Sequence, residues 1–330
     1  MEYYLVTGGT GFIGSHTIIE LLNTNYNVII IDNLCNSKKT VLKDIQKITN
    51  KDLIFYEIDL LNYDGLNEIF KTYKIVGVLH FAGLKSVSES IKNPLEYYIN
   101  NINGTLNLLK IMEINSCKKI IFSSSATVYG DQESPVSEKD PTGINLTNPY
   151  GKTKYMIEEI LKDLYMSDRY WSIVILRYFN PIGAHKSGLL KENPNTIPTN
   201  IFPYILKVAK REYDKVNIFG NNYETKDGTG VRDFIHVVDL ACGHVKAIKK
   251  LDNSGIFIYN LGTGIGTSVL ELIKTFEKVN NIKIPYSFVE KRPGDLPKVY
   301  ANVELAEKEM GFKTIFTIED MCRDGYKSIC

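Results

Sequence analysis

Short apolar runs alternate with helical stretches through the first half of the chain. "YYLVT" leads into a helical pattern from about Phe12. "NVIIID", "DLIFYEID", "IVGVLHFAG", "KKIIFSSS" and "WSIVILRYFN" then succeed it at helix-length intervals. Each run is nearly all apolar rather than alternating, as expected of strands buried on both faces of a parallel sheet. Strand–helix alternation at this spacing predicts a doubly wound α/β fold of Rossmann type. The pattern changes after Asn180. "PIGAHKSGLLKENPNTIPTN" is rich in Gly, Pro and Asn, and the remainder of the chain mixes short strands and helices less regularly. The expected division is a nucleotide-binding domain over 1–180 and a smaller mixed α/β substrate domain over 181–330. A segment around 235–262 is the part of the second half that can return to pack on the first.

Bulk properties narrow the partners. Lys and Arg total 39 against 38 Asp and Glu, a net charge of +1, so no global basic excess points to nucleic acid or a membrane surface. The chain begins with "MEYYLVTGG", which enters a strand pattern directly and resembles no signal peptide. No apolar run approaches the ~18 residues of a membrane span, and the expected setting is the cytoplasm. Five cysteines, an odd number without CxxC spacing, read as structural thiols. The five histidines are scattered, so no metal site is expected.

"VTGGTGFIG" places Gly8, Gly11 and Gly14 between the first strand and the first helix. Lacking Cβ atoms, they permit a tight turn and close approach of a pyrophosphate to the helix N-terminus. Asp32 ends the second strand, 18 residues past Gly14. A carboxylate there accepts hydrogen bonds from adenosine ribose hydroxyls and repels a 2′-phosphate, which favours NAD over NADP. Asp59 ends the third strand, where it either nears the adenine or caps a turn. The small residues of "FAG", Phe81, Ala82 and Gly83, fit a strand end passing close behind the cofactor.

"NPYGKTKY" opens a helix, with Asn148 as N-cap and Pro149 at the first helical position. At 100° per residue from Tyr150, Lys154 falls at about 40° and Ile157, Leu161 and Leu164 within about 40° of zero. Lys152 and Tyr155 fall near about 200° and about 140°, off that apolar stripe. A lysine on such a stripe is costly unless it is used. An ordinary tyrosine titrates near ~10, too high for a base at neutral pH. The expectation is that Lys154, the helix N-terminus and a positive nicotinamide together stabilise a Tyr150 phenolate. "SSSATVYG" succeeds the fifth strand, and a serine hydroxyl there relays the proton. Ser125, Ser124 and Ser123 all remain open on position alone.

With these motifs the chain resembles the extended short-chain dehydrogenase/reductase family, which carries GxxGxxG and YxxxK. More narrowly it is similar to the UDP-glucose 4-epimerases of that family, through "LVTGGTGFIGSHT", "HFAGLKSVSES", "FSSSATVYGDQ", "LRYFNPIGAH", "DGTGVRDFIHVVDLA" and "PGDLP", running from about Tyr3 to Asp295. The resemblance implies Ser125, Tyr150 and Lys154 as the catalytic set. It implies NAD contacts at Phe12, Ile13, Asp32, Asn33, Asn36, Ser37, Asp59, Leu60, Phe81, Lys85, Asn100 and Ser123, with Phe179 beside the nicotinamide. On the sugar-nucleotide side it implies Lys85, Tyr178, Asn180, Asn200, Ile201, Phe219, Arg232, Arg292, Asp295 and Val299. Charge logic agrees, since two arginines can each pair with a UDP diphosphate, and Asp295 suits a ribose diol. The implied reaction is reversible epimerisation of UDP-galactose and UDP-glucose at C4, through a transient 4-keto sugar and bound NAD, in a homodimer.

Rival chemistries are weighed by the same residues. A 4,6-dehydratase needs an acid/base carboxylate pair just before "VYG", where this chain has Ala126-Thr127. Another NAD-dependent nucleotide-sugar enzyme, a dehydrogenase, decarboxylase or different epimerase, stays open on chemistry alone. A non-catalytic NAD sensor predicts loss of the reacting groups, yet Ser125, Tyr150 and Lys154 all stand. Val299 departs from the family pattern: tyrosine stands there in members restricted to unacetylated sugars, and Cys or Gly in dual-specificity ones. A smaller side chain leaves room for an N-acetyl group, which adds UDP-GlcNAc and UDP-GalNAc as candidate substrates.

Overall fold

The computed structural model describes residues 1–192, 198, 200–292 and 294–330. Six strands stand where the apolar runs predict them: β1 (Glu2–Thr7), β2 (Val28–Asp32), β3 (Ile54–Glu57), β4 (Lys74–His80), β5 (Lys119–Ser125) and β6 (Ser172–Tyr178). Then come β7 (Asn180–Ile182), β8 (Val216–Phe219), β9 (Val231–His236), β10 (Gly255–Leu261), β11 (Gly266–Ser268), β12 (Tyr286–Val289) and β13 (Lys298–Val299). The main sheet has seven strands in the order β10-β6-β5-β4-β1-β2-β3, and every pairing in it is parallel. This is the doubly wound α/β architecture the alternation implies.

Both faces of the sheet are dry. Val6, Ile30, Leu79, Ile121 and Leu176 pack on one side against the helices Phe12–Asn23 and Val237–Ile248. Leu5, Ile29, Val78, Phe122 and Ile175 pack on the other, with Ile157 and Leu161 of the helix Pro149–Ser167. Successive strand residues point to opposite faces, so burial on both explains why each run is continuously apolar. The chain order reverses between β1 and β4. In such sheets the crevice at the carboxyl ends of the strands beside that reversal is where ligands bind.

The second half contributes to both parts of the molecule. β10 lies along β6 from Gly255 to Leu261, and the helix Val237–Ile248 packs on Phe12–Asn23, so the 235–262 segment sits on the main sheet. The rest builds two small sheets, β11-β9-β13 with β7 on β9, and β12-β8, over a separate core that includes Phe202, Phe234, Phe276 and Met321. Asp233, fully buried on β9, organises this half. It accepts from Thr263 N and Oγ1 at 2.7 Å, Gly264 N at 2.9 Å and Ala301 N at 3.2 Å, which fixes the loops after β10 and β13.

Candidate active site

The β1–helix turn is set by sterics. Gly8 has φ +66°, and a Cβ there would stand 2.7 Å from the Ala82 backbone nitrogen. A Cβ on Gly14 would stand 2.5 Å from the Gly8 carbonyl oxygen. The two glycines therefore let the helix press onto the turn and the turn onto the strand end carrying Phe81–Gly83. Asp32, at the tip of β2, ties this turn to the next loop. It accepts from Thr10 N at 3.0 Å, Leu34 N at 2.9 Å and Ser37 Oγ at 3.2 Å. Asp59 accepts from Asn33 Nδ2 at 2.6 Å and Leu61 N at 2.8 Å, so it acts as a turn carboxylate as well as a cleft residue.

These elements surround a cleft of about 310 Å³ at the sheet's reversal point. Gly8, Gly11, Phe12, Ile13, Gly14, Asp32, Asn33, Asn36, Ser37, Asp59, Leu60, Phe81, Ala82, Gly83, Lys85, Asn100, Ser123, Tyr150 and Lys154 all line it. Phe179 does not. It is buried in a side cluster with Val128, Tyr129, Val136 and Ala301, because β6 ends at Tyr178 and its neighbour turns into the core. Tyr178 lines the cleft with its ring, while its hydroxyl is bonded to His244 Nε2. Lys85 meets Glu192 at 2.6 Å, so its ammonium is engaged across the cleft rim.

The helix carrying the reacting pair starts as its sequence requires. Asn148 Oδ1 accepts from Gly151 N at 2.8 Å, and Pro149 is the first helical residue. Lys154 is buried, Lys152 is exposed and Tyr150 is half-buried at the cleft. Lys154 Nζ donates to the Ser123 carbonyl at 2.6 Å, and lies 4.9 Å from the Phe122 ring centre and 5.9 Å from that of Tyr150. Burial holds the Lys154 pKa down to about 8, against the pull of Glu158.

Here the structure departs from the expected electrostatics. Tyr150's pKa is raised, not lowered: burial dominates, and the Ser125 hydroxyl draws it only partly back. The ammonium is turned onto the Ser123 carbonyl, and its own charge is disfavoured by the same burial. Ser125 is the serine beside the phenol, at the tip of β5, where its Oγ also accepts from Thr127 N and Oγ1 at 3.2 and 3.0 Å. Ser124 instead donates to Glu158 on the other face of β5, and Ser123 offers its carbonyl to Lys154.

A second group of predicted residues gathers in the smaller part. Arg292 Nε donates to Asp295 at 2.8 Å and its guanidinium lies 4.7 Å over the Phe219 ring. Arg232 stands 3.9 Å from Asp295 and donates to the Val231 and Leu296 carbonyls. Burial lowers the Arg232 pKa, with Asp295 opposing. Asp295 thus serves two cations here, rather than standing open for a diol. Asn180 begins β7, Asn200 and Ile201 stand at the start of the helix Ile201–Ala209, and Val299 lies in β13 against the Val128–Phe179 cluster. Among the described residues, no group of three or more His, Cys, Asp or Glu is placed to hold a metal ion.

Sequence reading passed over several supporting groups. The helix preceding Gly104 widens into a π turn at Ile99–Asn103, which presents buried Asn101 to Leu84 N at 2.8 Å and Thr153 Oγ1 at 3.0 Å. That bulge leaves no trace in residue type. The buried pair Glu158–Arg177 did leave one, an arginine inside an otherwise apolar strand.

Known proteins share this arrangement. Residues 4–262 match the model of the NAD dependent epimerase/dehydratase family. The chain belongs to that family. It is 53% identical to UDP-glucose 4-epimerase of Bacillus subtilis, covering 98% of this chain and 95% of the other. It is 49% identical to the human UDP-glucose 4-epimerase, covering 99% and 96%. The crystal structure of UDP-glucose 4-epimerase from Bifidobacterium longum, in complex with NAD+ and UDP, superposes with a TM-score of 0.96 at 51% identity, covering 99% and 98%. The likeness read from the motifs therefore extends over nearly the whole chain.

The glycine turn yields a direct prediction. Gly14→Ala puts a methyl group onto the Gly8 carbonyl, 2.5 Å away. Affinity for NAD, measured calorimetrically on cofactor-stripped protein, should fall by about tenfold or more. Unchanged affinity would show that the turn does not depend on the missing Cβ.

Proposed function

We propose that this chain interconverts UDP-galactose and UDP-glucose, inverting the sugar at C4 through a transient 4-keto sugar with NAD held throughout. The observation that carries this reading is the full-length likeness, at 49–53% identity, to UDP-glucose 4-epimerases in a chain that keeps Ser125, Tyr150 and Lys154 together at the cleft. The residues present fit NAD. The Gly8–Gly14 turn brings backbone close where a pyrophosphate would lie, and Asp32 is a strand-end carboxylate for ribose hydroxyls. When bound, NAD supplies reversible two-electron oxidation at the sugar C4.

The chain's own groups do the rest. Tyr150 takes the 4-hydroxyl proton and returns it, with the Ser125 hydroxyl hydrogen-bonded between. Lys154 stabilises the phenolate form. Arg232 and Arg292 exchange their shared Asp295 for the diphosphate, a stronger bidentate partner. Firm grip on the nucleotide and light contact with the hexose let the 4-keto sugar turn over about its tether before it is reduced on the other face. The large sheet accordingly carries the cofactor and the smaller sheets the UDP. A cytoplasmic setting suits buried Cys117 and Cys322, which are unpaired thiols, and no helix among the described residues is long and apolar enough to cross a membrane.

Incubation with UDP-galactose and no added NAD should yield UDP-glucose. Stoichiometric NADH with an oxidised sugar would favour a dehydrogenase, and binding without turnover a sensor. Tyr150→Phe should lower kcat by about a thousandfold with UDP affinity unchanged. Turnover near wild type would reject Tyr150 as the base.

Val299 supports a wider substrate range. It is half-buried against Tyr129 and Phe179, and valine is shorter than the tyrosine of restricted members. UDP-GlcNAc and UDP-GalNAc should be interconverted, and Val299→Tyr should abolish that activity while sparing UDP-galactose. A wild-type chain inert toward the acetylated pair sinks the idea.

The chain also presents a dimer face. Val87, Ile91, Leu95 and Ile99 recur every four residues and are 41%, 60%, 74% and 51% exposed. Leu106 and Met156 add to the exposed apolar surface at 44% and 41%. Such a stripe is costly in water and suits a second copy of the chain. Light scattering should give a dimer for wild type and a monomer for Leu95→Glu. A monomeric wild type at micromolar concentration would refute it.

A further inference from the structure

Behind the Tyr150–Lys154 pair lies a fully buried ion pair. Glu158 stands one helical turn beyond Lys154, as Lys154 stands one turn beyond Tyr150. Its side chain is 0% exposed, and that of Arg177 is 2% exposed. Glu158 Oε1 accepts from Ser124 Oγ at 2.5 Å and Arg177 Nε at 3.0 Å, and Oε2 accepts from Arg177 Nη2 at 2.7 Å. Ser124, Arg177 and Asn260 are direct neighbours on β5, β6 and β10. Tyr129 closes the row, accepting from Arg177 Nη1 at 3.0 Å and donating to Asn260 Oδ1 at 2.7 Å. Asn260 Nδ2 then donates to the Val136 carbonyl at 3.0 Å. The catalytic helix is thereby pinned to three strands at the level of the reacting groups.

Stability is a poor reason to keep this pair, because well-packed apolar residues usually serve as well as a buried ion pair. Its place on the Tyr150–Lys154 stripe gives a better one. We infer that Glu158 is a positioning residue for the reaction: its carboxylate fixes the helix against β5 and keeps Lys154 an ammonium beside Tyr150, while Arg177 aims and balances it. The inference rests on the epimerase reading.

The groups facing Lys154 define the test. Tyr150 and Glu158 lie on its own helix. β5 offers the Ser123 carbonyl and the Phe122 ring, and β6 places Arg177 behind Glu158. His80 on β4 is held near 3, by burial first and the Lys154 charge second, and so adds no charge. Burial disfavours the Lys154 ammonium and Glu158 opposes that, so removing the carboxylate lowers the Lys154 pKa further. The ammonium is then lost at lower pH, and the alkaline limb of the rate profile moves down.

Glu158→Gln keeps the size and still accepts from Ser124. It should cut kcat for UDP-galactose at the alkaline end by about tenfold, with KM within about twofold. Its alkaline limb should fall by about one pH unit. The Lys154 Cε resonance in lysine-labelled, substrate-free protein, identified by its loss in Lys154→Met, should titrate at correspondingly lower pH. Should Glu158→Gln fail to fold, Glu158→Gln/Arg177→Gln removes both buried charges and should show the same two shifts. Folded variants with an unmoved limb and an unmoved Lys154 midpoint overturn the proposal, with any lost rate tracking lost folded protein. A wild-type chain that does not convert UDP-galactose defeats the epimerase reading instead, and the resonance still decides the role of Glu158.

Discussion

The close backbone approach at the first turn governs the rest of the site. Gly8 leaves β1 in a conformation that L side chains rarely adopt, and it lies against Ala82 where even a methyl group has no space. Gly14 repeats the constraint one helical turn on. Because these contacts are made, the helix Phe12–Asn23 begins pointing at the cleft, its first N–H groups open to an anion. The strand ends β1, β2 and β4 then lie close enough for Asp32, Asp59 and Phe81–Gly83 to share one wall. The position of Tyr150 comes from the same sheet, since β5 sits next to β4 and its three-serine tip meets the catalytic helix.

The two halves of the site use charge differently. At the cofactor cleft the charged groups are few and each is tied down before any ligand arrives, Asp32 by three hydrogen bonds and Lys154 by the Ser123 carbonyl. At the nucleotide side two arginines share one carboxylate. That arrangement holds two like charges together without ligand and gives them up to a diphosphate, which replaces one acceptor group by several. A site that must release its nucleotide each turnover, yet keep its cofactor, benefits from this asymmetry.

Much of this was legible in residue order. Continuous apolar runs gave six strands in place, because strands buried on both faces leave no alternation to misread. Helical phase separated Tyr150 and Lys154 from Lys152 and Tyr155, and the Asn-Pro start set the helix boundary. The seventh strand, β10, could be suspected only as a segment returning to the first domain, since its pairing with β6 joins stretches far apart in the chain. Phe179 went astray because the end of β6 decides which way its ring turns, a one-residue matter of register. The π turn at Ile99–Asn103 was invisible, since a widened turn has no residue signature. The Tyr150 electrostatics were misjudged because sequence spacing places a cation nearby but says nothing of how dry its surroundings are.

Dryness sharpens how the pair can work. Taken singly, burial pushes Tyr150 and Lys154 each toward its neutral form. A neutral phenol beside an ammonium leaves one net positive charge in a low-dielectric pocket. The phenolate beside the same ammonium leaves none, only a short dipole. Removing the tyrosine proton therefore relieves net charge even though it creates an anion, and the two groups are better treated as one coupled acid. The Glu158–Arg177 pair adds opposite charges that cancel at distance but not at close range, and its negative end is the one a turn from Lys154. Such a placement favours the ammonium over the free amine, so the proton leaves from the phenol and not from the lysine. Which of two buried groups gives up its proton is set by the sign of the nearest fixed charge, and here that charge lies on the far side of the lysine from the tyrosine.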